Sequence, residues 1–153
     1  MRDSEMEILL VEDDPRDVRL TVRELETEHL KNRINVVRDG AEALDFLFCQ
    51  GAYSHRSPSH PPKLVLLDLK LPKVDGLQVL REIKTRAETQ AIPVVVLTSS
   101  KEERDLVESY KLGVNSYIQK PVDFEKFRET IRTLGLYWLG VNESPPEKAF
   151  VSE

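Results

Sequence analysis

The chain has 153 residues, room for one domain around a single core but not for a second of comparable size. Charged residues make up 32% and hydrophobic ones 40%, ordinary usage for a globular domain, which argues against a disordered or membrane-embedded chain. A formal charge of −5, with no long basic stretch, gives no attraction to phosphate backbones, so nucleic acid is not expected as a direct partner.

The opening Met1-Arg2-Asp3-Ser4-Glu5-Met6-Glu7 lacks the apolar segment of a signal peptide, and no later run reaches the roughly 20 apolar residues of a membrane span. No membrane contact and a cytoplasmic location are therefore expected. Ile8-Leu9-Leu10-Val11 reads as a buried first strand that runs into Glu12, Asp13 and Asp14. Pro15 suits the first turn of a helix whose Val18, Val22 and Leu25 form an apolar stripe, and the pattern predicts its end near Asn32. Ile34 to Val37 reads as strand two. After the turn at Asp39-Gly40, Ala41, Leu44, Leu47 and Phe48 make the face of a second helix, with the lone Cys49 as a buried thiol and no disulfide partner. Residues 50–62 carry turn chemistry, and His55 and His60 within them read as solvated rather than as metal ligands.

Leu64-Val65-Leu66-Leu67 is apolar throughout and ends in Asp68, an ionisable group at the carboxyl edge of a buried strand. Pro72 and Asp75-Gly76 turn the chain into a helix bearing Leu77, Leu80 and Ile83. Val94 to Leu97 form a fourth strand ending in Thr98-Ser99-Ser100, and a helix with Leu106, Val107 and Tyr110 follows, stopping near Gly113. Ser116-Tyr117-Ile118-Gln119 is less apolar, as an edge strand should be, and ends in Lys120-Pro121. Asp123 is placed to cap a last helix with Phe124, Phe127, Ile131, Leu134 and Trp138 on its core side. The tail from Gly140, with Pro145 and Pro146, is expected to be loosely ordered.

Strands alternating with helices predict an α/β domain, a doubly wound parallel sheet of five strands in the order 2-1-3-4-5. That order puts the switch point between strands one and three, with Glu12 and Asp13 beside Asp68. Carboxylates so close repel one another and call for a cation. Oxygen donors suit Mg²⁺, while Lys120 and Thr98 would add a charge and a hydroxyl. Together these groups suggest phosphoryl transfer to Asp68. Each residue alone reads more simply as a turn former or helix cap; what favours chemistry is their placement at four strand ends of one sheet.

Val11-Glu12-Asp13-Asp14-Pro15, Leu67-Asp68-Leu69-Lys70-Leu71-Pro72 with Asp75-Gly76, Leu97-Thr98-Ser99 and Tyr117-Ile118-Gln119-Lys120-Pro121 together resemble the motifs of the receiver domains of two-component response regulators, which share the flavodoxin-like fold. The resemblance implies that Asp68 accepts phosphate from a sensor histidine kinase. It implies Mg²⁺ ligation by Asp13, Asp68 and the Lys70 backbone carbonyl, with Glu12 acting directly or through water. Thr98 and Lys120 would bind the phosphoryl group, Tyr117 would turn inward on activation, and the Lys120–Pro121 bond would be cis. Asp14 falls at a variable position and is assigned to capping or solvent. Lys70 and Ser100 stand where the family tunes access of hydrolytic water; neither can orient it well, so slow autodephosphorylation is expected.

Residues 7–139 are expected to form the receiver domain and 140–153 a tail, with no output domain. The longer loop before strand three and the ending Leu136-Tyr137-Trp138-Leu139 are similar to the stand-alone regulators that accompany bacterial phytochromes. Leu136, Tyr137 and Leu139 fall off the core stripe, so Tyr137 and Trp138 are expected to serve a homodimer surface; the alternative is that Gly135 breaks the helix and the segment caps its own core. A phosphorelay intermediate, a non-phosphorylated adaptor and a metal-dependent phosphohydrolase remain as other functions. The last resembles the haloacid dehalogenase-like enzymes, which want an aspartate where this chain has Lys70.

Overall fold

A run such as Leu64-Val65-Leu66-Leu67 can be buried only if both faces of its strand are covered. In the computed structural model, which describes residues 6–27, 32–121 and 123–150, it forms the central strand β3 (Leu64–Leu67), buried along its whole length. Around it lie β1 (Met6–Val11), β2 (Asn32–Val37), β4 (Val94–Thr98) and β5 (Ser116–Gln119), all parallel, in the order β2-β1-β3-β4-β5. The helices are α1 (Pro15–Thr27), α2 (Gly40–Leu47), α3 (Gly76–Thr85), α4 (Glu103–Leu112) and α5 (Phe124–Gly135). Side chains alternate along each strand and so divide the core in two. Leu9, Val11, Val65, Leu67, Val94 and Val96 pack with α2 and α3. Ile8, Leu10, Leu64, Leu66, Val95 and Leu97 pack with α1 and α5. The predicted fold class and strand order hold.

Several local expectations change. Asn32 lies in β2 opposite Met6, so the first helix does not reach it; the pairing of Met6 with Asn32 and Glu7 with Arg33 extends the strand beyond its apolar residues. Residues 28–31 lie outside the described part. The Lys120–Pro121 bond is trans, as is every peptide bond among the described residues. Trans is the lower-energy isomer of an X–Pro bond by roughly 0.5–1 kcal/mol. Phe124 is exposed instead of joining the core side of α5, and Leu106, Val107 and Tyr110 of α4 are exposed as well.

Gly135 does not break the last helix. It is helical and buried against α1, where a Cβ would meet Leu25 Cδ2 at 2.9 Å. Beyond it the chain continues as a π-helical turn, Leu136–Val141. Such a turn inserts an extra residue into the helical register, and it brings Leu139 to the core side with Trp138 packed alongside. Leu136 and Tyr137 stay exposed. The tail has more order than its prolines suggest: Glu147–Phe150 form a 3₁₀ turn whose Phe150 is buried with the α2/α3 core.

Candidate functional site

The sheet's hydrogen bonds carry straight into the loops at its carboxyl edge. The Glu12 amide donates to Val37 O at 3.0 Å and the Asp68 amide to Val11 O at 3.0 Å, so both acids start from fixed backbone beside the end of β1. The Lys120 amide donates to Thr98 O at 2.7 Å, which fixes the lysine next to the end of β4. Asp75 caps α3, accepting from the Leu77 amide. Gly76 then lies against the loop that follows β3, where a Cβ would meet Leu69 Cα at 2.4 Å and Asp68 O at 2.6 Å. Only a glycine lets α3 begin directly beneath Asp68.

From these anchors the side chains converge. Lys120 Nζ donates to Glu12 Oε1 at 2.7 Å, Asp17 Oδ2 at 2.7 Å and Asp68 Oδ2 at 3.0 Å. Glu12 and Asp68 are 3% and 5% exposed, and Thr98 is wholly buried. The second Asp68 oxygen accepts from the Lys70 amide at 3.1 Å. Asp13 is exposed, yet one carboxylate oxygen each from Glu12, Asp13 and Asp68 lie within 4.8 Å of one another. Asp14 turns away and caps α1, accepting from the Arg16 amide at 2.9 Å; that bond holds its carboxyl below the usual range.

The electrostatics fit this crowding. Burial, and the Asp68 charge beside it, push Glu12 up to about 7 against the pull of Lys120. Burial alone would lower the Lys120 ammonium, but its bonds to Asp17 and Glu12 and the Asp68 charge hold it above its ordinary value. Four acids around one ammonium leave the pocket electronegative. Carboxylates at this spacing fit a hard divalent cation held directly or through retained water. Among the described residues no other group of three or more acids, histidines or cysteines has metal-binding spacing. His60 contacts Ser59 and Glu147 instead.

The structure therefore gathers Glu12, Asp13, Asp68 and Lys120 into one pocket and sets Thr98 at the neighbouring strand end. It adds Asp17, which sequence reasoning missed; the signal was an acid one turn past Asp14 at the start of α1, where the helix points it back toward the strand ends. The Tyr117 hydroxyl is buried beside Ser100, and no hydrogen bond of good geometry reaches it among the described residues. Ser100 is buried and its hydroxyl donates to Asp105, while Lys70 is exposed. Tyr137 and Trp138 lie outside this pocket, their rings stacked edge-on at 5.1 Å.

Known proteins share this architecture. The chain is 45% identical over 138 residues to the probable methanogenesis regulatory protein FilR2 of Methanothrix harundinacea, spanning 90% of this chain and 86% of that one. It is 42% identical over 132 residues to response regulator Rcp1 of Synechocystis sp., with 86% and 88% of the two chains covered. The Mn²⁺-bound crystal structure of Rcp1 superposes with a TM-score of 0.88 at 40% identity, covering 92% of this chain and 99% of that one. The phosphorylated cyanobacterial phytochrome response regulator RcpA gives 0.88 at 39% identity, with 93% and 99% covered. The response regulator receiver domain matches residues 8–132, a span that runs through all five strands feeding the acidic pocket. The chain belongs to the response regulator receiver domain family.

Proposed function

We propose that this response regulator takes a phosphoryl group on Asp68 from a phosphohistidine of a sensor histidine kinase and signals through the rearrangement that follows. The observation that carries this reading is the Lys120 ammonium bonded at once to Asp68 and Glu12, at the point where the strand ends meet. An Asp68 oxygen attacks phosphorus in line, the new O–P bond forms as the N–P bond breaks, and the freed imidazole nitrogen recovers a proton. Lys120 then exchanges a carboxylate for a phosphoryl oxygen, and Thr98 offers its hydroxyl to another. Mg²⁺, held by Glu12, Asp13, Asp68 and the Lys70 backbone carbonyl, would supply neutralising charge for this transfer. Tyr117 acts with Thr98 as the switch.

Autodephosphorylation is slow, since Lys70 is a cation and the Ser100 hydroxyl is committed to Asp105, leaving neither to orient water on Asp68. The likeness to RcpA supports a phytochrome as the kinase, the exposed Tyr137 supports a homodimer, and the unpaired Cys49 suits the reducing cytoplasm. No helix among the described residues is long and apolar enough to cross a membrane. The test is to incubate the chain with Mg²⁺ and a small phosphodonor and map acid-labile phosphate. Label on Asp68 that outlasts seconds and disappears in Asp68→Asn is the expected result. A chain that takes no label is an adaptor, and one that releases phosphate within seconds is a hydrolase.

A further inference from the structure

Helix α4 packs with its polar side inward. Asp105 and Ser109 are 8% and 0% exposed, whereas Leu106, Val107 and Tyr110 are 39%, 45% and 55% exposed. A carboxylate this buried needs a partner. Asp105 has the Ser100 hydroxyl, which donates to its Oδ2 at 2.5 Å. The same Ser100 oxygen accepts from the Glu102 amide at 3.3 Å, one residue before α4 begins, and the Ser100 amide donates to Thr98 Oγ1 at 3.2 Å. A continuous chain of bonds thus joins the phosphoryl-binding hydroxyl to the first turn of α4.

A hydroxyl has one proton to give. Ser100 gives that proton to Asp105 and can only accept from the neighbouring Tyr117 phenol, whose buried hydroxyl lies beside Ser100 without reaching good hydrogen-bond geometry among the described residues. Burial raises the Tyr117 phenol pKa, and Ser100 is the group beside it that opposes this. Ser109 Oγ, one turn along α4 from Asp105, is likewise buried and unpartnered. A buried, unpartnered hydroxyl on the inner side of α4 marks an arrangement that another could replace.

We infer that Asp105 is a positioning residue for the Asp68 site: its bond to Ser100 latches Thr98 and α4 in the resting arrangement, and release of the latch turns the Ser100 hydroxyl to Tyr117. This rests on the reading of Asp68 as phosphoacceptor. A phosphoryl group on Asp68 draws Thr98 Oγ1 toward its oxygens. The Ser100 amide follows that acceptor, and the Ser100 hydroxyl leaves Asp105 for the phenol. Linkage works in both directions, so weakening the Asp105–Ser100 bond favours the phosphorylated state at equilibrium. A chain with the bond already weakened also has less to rearrange on the way to that state, and so takes label faster.

The experiment measures the rate at which full-length chain takes label from a small phosphodonor with Mg²⁺, in wild type, Asp105→Asn, Asp105→Ala and Asp105→Glu. The Ala variant, which has no acceptor, should label several-fold faster; the Asn variant, whose neutral carbonyl accepts more weakly than a carboxylate, should fall between Ala and wild type, while the Glu variant, which keeps the carboxylate, should stay close to wild type. In a Thr98→Ala background Asp105→Asn should have no effect, because the chain of bonds is already cut. Asp105→Ala, a strong helix former, supplies the same test should the amide variant not fold. Lowered melting temperatures with an unchanged labelling rate would mean that Asp105 only holds α4 in place, and would overturn the inference alone. A wild-type chain that takes no label on Asp68 overturns the phosphoacceptor reading and the latch together.

Discussion

Glu12 is where burial and charge are most in conflict, since its carboxylate lies between the Asp68 charge and the Lys120 ammonium with almost no solvent. Its pKa rises in the fold from 4.5 to about 7. A group that holds its proton more tightly in the fold contributes stability that is complete below pH 4.5 and gone once the pH passes 7. Above that window an ionised Glu12 costs up to roughly 3 kcal/mol. Glu12→Gln, neutral and still an acceptor for Lys120, should therefore be more stable than wild type at pH 8 in a chelator, by about 1–3 kcal/mol. The gap should close toward pH 4.5, and Mg²⁺ should reverse its sign at pH 8 by stabilising the carboxylate alone. Chemical denaturation at the two pH values, with and without the ion, reads this out, and a pH-independent difference would show that Glu12 does not feel its neighbours. Asp68, Asp13 and Thr98 were legible in the sequence because each stands at the end of a strand that its apolar run announces, and Lys120 because it closes the less apolar edge strand just before Pro121. Asp17 and Asp105 were not. Both are acids in the first turn of a helix, a place where acids ordinarily face solvent and the helix dipole, and only the packing of α1 and α4 turns them inward.

β1, β3 and β4 were readable as elements because a run of four or five apolar residues suits a strand covered on both faces, while β5 was read from its short, less apolar run at the sheet edge. Helix faces were less so. The stripe of α5 puts Phe124 on the side expected to be buried, yet it is exposed, and so are Leu106, Val107 and Tyr110, the apolar residues of α4. The sequence period gives the angle between residues on a helix but not the depth to which the helix sinks on its sheet, and a π-helical turn shifts that angle without any mark in composition. The start of α3 is the opposite case, since Asp75-Gly76 specifies it locally and tertiary contact requires it. Adding a methyl at Gly76 meets backbone, which cannot rotate away as a side chain end can. Gly76→Ala should cost roughly 3 kcal/mol of stability through overpacking. It should also weaken Mg²⁺ binding, because the loop displaced is the one that carries Asp68 and Lys70. A denaturant midpoint and an ion affinity both equal to wild type would show that α3 can retreat freely from β3.

At the scale of the whole molecule, the acidic pocket occupies the carboxyl edge of the sheet while Tyr137 and Trp138 lie beyond α5, so the proposed function requires a signal to cross between them. The latch through Ser100 and Asp105 brings it as far as α4, and the π-helical turn places Tyr137 and Trp138 in unlike settings. Trp138 is half-buried on the α1/α5 core, so Trp138→Ala should lower stability by about 2 kcal/mol whatever the oligomeric state. Tyr137 is 48% exposed beside the exposed Leu136 and Val141, and supports little of its own fold. Apolar side chains grouped this way fit a surface shared between two copies better than a core, and the tyrosine's large area at low entropic cost makes it the residue on which such a contact would depend. Tyr137→Ala should thus reduce the apparent mass in light scattering toward that of a monomer while leaving the melting temperature of the monomer nearly unchanged. Trp138→Ala cannot separate the two effects, because loss of core packing would loosen the dimer as well. A wild-type chain that already scatters as a monomer, or a Tyr137→Ala variant with unchanged dimeric mass, would place the partner surface elsewhere.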